Sequence, residues 1–78
     1  MTEKQQVEKI ASEVFAKERL HWTIASVEEN KIAHLWEIEV QTPDGRELIL
    51  SVPIGSPREV KDSIRQQAEE EMDRLKIP

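Results

Sequence analysis

The sequence predicts an α+β domain in the order α-β-β-β-α: a three-stranded antiparallel meander with two helices packed on one face. Three observations carry this prediction. Apolar residues recur at every second position over residues 32–42 and 46–54, the period of strands with one greasy face. Between those runs stands Thr42-Pro43-Asp44-Gly45, in which Pro43 presets φ, Asp44 bonds nearby backbone and Gly45 accepts a positive φ. Amphipathic segments of helical period flank the strands on both sides and can cover the greasy face.

The first element is a helix over residues 2–19. Val7, Ile10, Ala11 and Val14 follow the i, i+3, i+4, i+7 spacing, with Phe15 on the flank of the stripe. Thr2, with Gln5 three residues later, has the form of a capping box. Residues 21–29 form the first strand, with Trp22, Ile24 and Ser26 on one side and Thr23, Ala25 and Val27 on the other. Glu28-Glu29-Asn30-Lys31 makes the turn, and Asn30 is the residue best suited to a left-handed backbone.

On the second strand, His34, Trp36, Ile38 and Val40 alternate with Leu35, Glu37, Glu39 and Gln41. On the third, Leu48, Leu50, Val52 and Ile54 supply the buried side, and Pro53 assigns this strand to a sheet edge because it has no N–H to donate. The last helix announces itself most clearly. Ser56 is its N-cap, Pro57 its first residue and Glu59 the reciprocal partner of the cap. It runs to about Leu75, with Val60, Ile64, Ala68 and Leu75 as the buried stripe and Met72, Gln67 and Glu71 beside it. Lys76 then favours the negative helix end. The expected core adds Ile10, Ile24, Leu48 and the inward residues of the second strand.

A chain of 78 residues holds one domain, 1–78, and at this size only about 60% of the unfolded surface is buried on folding. Apolar residues make up 37% and charged residues 35%, yet the apolar ones sit in periodic positions, which argues against disorder. The chain has no cysteine, which removes disulfides and thiolate metal sites from consideration. No apolar run approaches the ~20 residues of a membrane span, and the first residues lack a basic-then-apolar leader; a cytoplasmic location is the expectation. The net charge of −5 is concentrated in the sheet, where Glu28, Glu29, Glu37, Glu39, Asp44 and Glu47 stand against Lys31 and Arg46. A polyanion is repelled from such a region.

No set of residues announces catalysis, and the expectation is a non-enzymatic protein without metal or cofactor. His21 and His34 fall on different strands with no third ligand at a recognisable spacing, whereas a zinc site takes three or four. No serine stands in a nucleophile elbow. Glu37 and Glu39 share a strand face about 7 Å apart, but an open face leaves both ionised and solvated rather than split into acid and base. Gly55-Ser56 before a helix is better explained as a cap than as an anion site, since Pro57 removes a donor and Glu59 is negative. The phase of Trp22 and Trp36 makes them core residues rather than a stacking platform.

Two surfaces remain as candidates. On the outer sheet face, Ala25, Val27, Leu35 and Ile49 gather among Glu37, Glu39, Gln41 and Ser51; an apolar patch rimmed by charge marks an association surface for another protein or for a second copy in a homodimer. On the last helix, Arg58, Lys61 and Arg65 share one side near its start.

The second surface, with the element order, resembles the double-stranded-RNA-binding domain. In that family the lead-in to the final helix runs Gly, then Ser-Lys-Lys-x-Ala-Lys. Here Gly55-Ser56-Pro57-Arg58-Glu59-Val60-Lys61 is similar, with Arg58 and Lys61 at two of three basic positions, Pro57 at the third and Val60 for the packing alanine. The resemblance implies the fold, and implies phosphate contacts by Arg58 and Lys61, with Arg65 on the same side of the helix. The family's longer first loop with its Gly-Pro-x-His motif is replaced here by Glu28-Glu29-Asn30-Lys31, and Glu59, Asp62 and Glu69-Glu70-Glu71 dilute the basic helix. Duplex recognition spans two successive grooves, so these departures remove much of the expected footprint.

Overall fold

The computed structural model describes residues 3–76, with side chains through Arg74. The elements are α1 (Lys4–Lys17), β1 (Thr23–Asn30), β2 (Leu35–Gln41), β3 (Glu47–Pro53) and α2 (Pro57–Lys76). The three strands are antiparallel in the order β1-β2-β3, and α1 packs on β1 and α2 while α2 packs on β3. This is the α+β arrangement expected from the sequence, and it is compatible with the fold of the family that the chain resembles. Val7, Ala11, Val14 and Phe15 of α1 meet Val60, Ile64 and Ala68 of α2 and the inward strand residues in one core. Leu75, expected in that core, and Lys76 lie beyond the described side chains, as Thr2 lies before the described residues.

Helix α1 is capped by Glu3, whose N–H donates to Gln6 Oε1 at 2.9 Å. The box therefore sits one residue after the Thr2–Gln5 register. The helix ends at Lys17, two residues before the sequence reading. Leu20 N–H bonds Phe15 O at 2.7 Å and Arg19 N–H bonds Ala16 O at 3.1 Å, with Arg19 at φ 58. This is a Schellman closure with arginine where glycine is usual. It returns the chain so that Trp22 meets Phe15 edge-on, ring centroids 5.3 Å apart.

The largest departure from the sequence reading is in β1. Its register against β2 shifts between Ile24, opposite Val40, and Ser26, opposite Glu39, leaving Ala25 as the extra residue of a β-bulge. One inserted residue reverses the alternation after it. Ile24 and Val27 therefore both point at the helices, although their spacing is odd, and Ser26 turns outward. Val27 is 2% exposed and belongs to the core, so its assignment to the outer face is corrected.

The β1–β2 turn is also displaced. Residues 31–34 form it, and β2 begins at Leu35 rather than at Ile32. Asn30 ends β1 in place of the expected left-handed residue, and its Oδ1 accepts the Ile32 and Ala33 N–H groups at 3.1 Å each. The left-handed residue is His34, at φ 55. The second turn matches its reading: Gly45 has φ 88 and its N–H bonds Thr42 O at 3.0 Å. Thr42 is buried there, accepts the Arg46 N–H at 3.1 Å on its hydroxyl, and donates that hydroxyl to Asp44.

In β2 and β3, Trp36, Ile38, Val40, Leu50 and Val52 are buried as the alternation requires. The Trp36 indole N–H is buried without a hydrogen-bond partner among the described residues, a cost of about 1–3 kcal/mol. Strand β3 is at a sheet edge, as Pro53 demanded. On its open side, the Gln67 side-chain amide clasps the backbone of Ser51: Ser51 N–H donates to Gln67 Oε1 at 2.9 Å, and Gln67 Nε2 donates to Ser51 O. Ser56 caps α2 by accepting the Glu59 N–H at 3.3 Å, and its hydroxyl donates to the Glu59 carboxylate at 3.1 Å.

Candidate interaction surface

The sheet face opposite the helices can be laid out from its register as four rows across β1, β2 and β3. They are Thr23, Gln41 and Glu47; Ser26, Glu39 and Ile49; Glu28, Glu37 and Ser51; and Asn30, Leu35 and Pro53. No helix covers these residues. Ile49 is 64% exposed and Leu35 is half-buried, both on the face predicted for them. Ala25 is exposed as the bulge residue, and Val27 is withdrawn.

The surface has two halves of different chemistry. Along β3, Ile49 and Pro53, with Leu35 beside Pro53, make an apolar strip interrupted only by Ser51. Along β1 and β2 lie Glu28, Glu37 and Glu39, with Glu28 directly opposite Glu37. The carboxylates are held by neutral neighbours. Asn30 Nδ2 donates to Glu37 Oε1 at 2.9 Å, and Ser26 Oγ donates to Glu39 Oε2 at 3.1 Å. Each of these two glutamates keeps a second oxygen unspent in these bonds. Among the described residues the ion pairs are Arg46–Asp44 and Arg74–Glu71, so Glu28, Glu37 and Glu39 form none, although Lys31 borders the same hollow as Glu28 and Glu37. The outer face sets two held, half-buried carboxylates, Glu37 and Glu39, and the exposed Glu28 beside an apolar strip.

The turns at the two ends of the sheet add detail. Ile32, which the sequence reading placed in β2, is 95% exposed at the β1–β2 turn. At the other end, the Thr42 hydroxyl holds the Asp44 carboxyl below the usual carboxylate range of 3.8; desolvation opposes this, and Arg46, 3.1 Å away, adds to it.

The remaining candidates are separated from this face. Arg58, Lys61 and Arg65 are exposed at i, i+3 and i+7 on α2, in the helical layer. His21 precedes β1 and His34 precedes β2, so the antiparallel pairing sets them at opposite ends of the hairpin. No cluster of three or more potential metal ligands occurs among the described residues. No helix among them is long and apolar enough to cross a membrane. No protein-family model, no curated protein and no solved structure matches this chain.

Proposed function

We propose that this chain is a non-enzymatic protein-interaction or accessory domain whose outer sheet face is its docking surface. The observation that carries the reading is the uncovered sheet face with Ile49 64% exposed and Leu35 beside Pro53. A sheet ordinarily hides an apolar strip by packing another layer on it. The helices fill that role on the inner face, and on the outer face a partner fills it. Self-association by a two-fold contact whose axis crosses the strands is disfavoured, because it sets one copy's Glu28, Glu37 and Glu39 near those of the other. The test is capture of partners from the native cells by the tagged chain and by Ile49→Asp. Loss of a partner with unchanged thermal unfolding supports the reading; equal capture by both overturns it.

A second reading is a degenerate duplex-RNA binder using Arg58, Lys61 and Arg65. It is favoured by their exposure on one side of α2, in none of the ion pairs among the described residues, and by the shared element order. It predicts binding to a short RNA duplex that weakens steeply with salt and with Arg58→Ala plus Lys61→Ala. A flat titration at low salt ends it.

A further inference from the structure

From the layout of the outer face, we propose that its occupant is a basic amphipathic helix of a partner protein. The inference rests on the interaction reading above and names the partner's chemistry. The backbone groups of β2 are consumed by ladders to β1 and β3, so an occupant of the face gains side-chain contacts rather than backbone bonds. Those contacts come in two parallel stripes. The apolar stripe from Ile49 to Pro53 spans five residues of strand, about 13 Å from end to end. Apolar residues at i, i+4 and i+8 of a helix span about 12 Å, and so lie along it in register. The acidic stripe of Glu28, Glu37 and Glu39 runs alongside, one to two strand spacings of ~5 Å away.

A helix about 10 Å across therefore places its flank over these carboxylates while its apolar edge rests on Ile49. Lysines or arginines on that flank meet glutamates already oriented by Ser26 and Asn30, which lowers the cost of ordering them. The charge requirement is one-sided. An acidic or neutral helix of the same apolar pattern leaves Glu37 and Glu39 covered and uncompensated, which costs binding.

The test uses the intact chain and synthetic helical peptides of alanine and lysine carrying leucine at every fourth position, with the lysines on one flank. One control replaces the lysines by glutamates, and a second replaces the leucines by alanines. Amide shifts on titration locate binding, and fluorescence anisotropy measures it. The expected result is binding by the lysine–leucine peptide with shifts at Leu35, Glu37, Ile49 and Ser51. It should weaken roughly tenfold in Glu37→Lys and in Ile49→Ala, both with unchanged circular dichroism. Neither control should bind comparably.

Binding of the glutamate or the leucine-free control at similar strength overturns the proposal, as do shifts confined to α1 and α2. Absence of binding overturns it too. In that case the docking reading itself is judged separately, by the Ile49→Asp capture. A chain that light scattering shows pairing with itself through this face assigns the surface to a second copy and also overturns the partner helix.

Discussion

Glu28 stands directly across the ladder from Glu37, and among the described residues neither carboxylate is in an ion pair. Like charges at facing positions of a sheet destabilise it by a few tenths of a kcal/mol or more. Glu28→Lys replaces the repulsion by attraction and should stabilise the fold by about 0.5 kcal/mol. A urea unfolding series reads this as a raised midpoint at unchanged slope. A lowered midpoint would mean that the pair is not in repulsion.

Val27 reverses the role that simple alternation gives it, whereas Ile49 keeps its own. Val27→Ala opens space in the core and should cost about 2 kcal/mol, and Val27→Asp should prevent folding by burying a charge. Ile49→Ala, on the wet face, should change stability by no more than about 0.5 kcal/mol. Comparing the three variants by denaturation checks the bulge directly: similar costs at both positions would contradict it.

Arg19 holds a left-handed backbone to close α1. A side chain in that region is strained by about 1 kcal/mol, and glycine is not. Arg19→Gly should therefore raise stability by roughly 0.5–1 kcal/mol, after allowing for the greater freedom of glycine in the unfolded chain. A thermal midpoint that falls would show the arginine side chain stabilising the fold by another route.

Asp44 ties the β2–β3 turn through Thr42 and Arg46. Its folded pKa is lowered below 3.8, so folding favours the ionised form. The contribution is present at neutral pH and is lost as the pH falls below 3.8 through the folded value. The stability difference between the wild type and Asp44→Asn should accordingly be largest at neutral pH and shrink on acidification. Urea midpoints collected across that range check the sign; a difference that grows in acid would contradict it.

What the sequence made legible was local. The Ser56-Pro57 helix start, the Gly45 turn and the period-two runs of β2 and β3 each depend on neighbouring residues, and each appears in the structure, with β2 shortened at its start to Leu35. The bulge at Ala25 was hidden because no glycine or proline marks it, and Ala25 sits between residues that suit a regular strand. Its effect was felt two residues later, at Val27. The same reasoning hid the turn at residues 31–34: Ile32 looks like a strand residue, but the Asn30 side chain draws its N–H into the turn. On the candidate surface, Leu35 and Ile49 were found by alternation. The outward setting of Ser26 and Glu28 depends on the bulge, and with it the cross-strand bonds that organise the acidic half.

The Gln67–Ser51 clasp gives β3 a locked margin. A sheet edge grows into a fibre when an incoming strand can continue its ladder without interruption. Here an incoming strand finds Ser51 already engaged by α2 and, two residues on, Pro53 with no N–H to offer. Templated growth from β3 is interrupted at consecutive outward-facing positions. A small acidic domain can thus leave apolar Ile49 in the open on an edge strand, because the backbone of that strand is closed to an incoming ladder at Ser51 and Pro53.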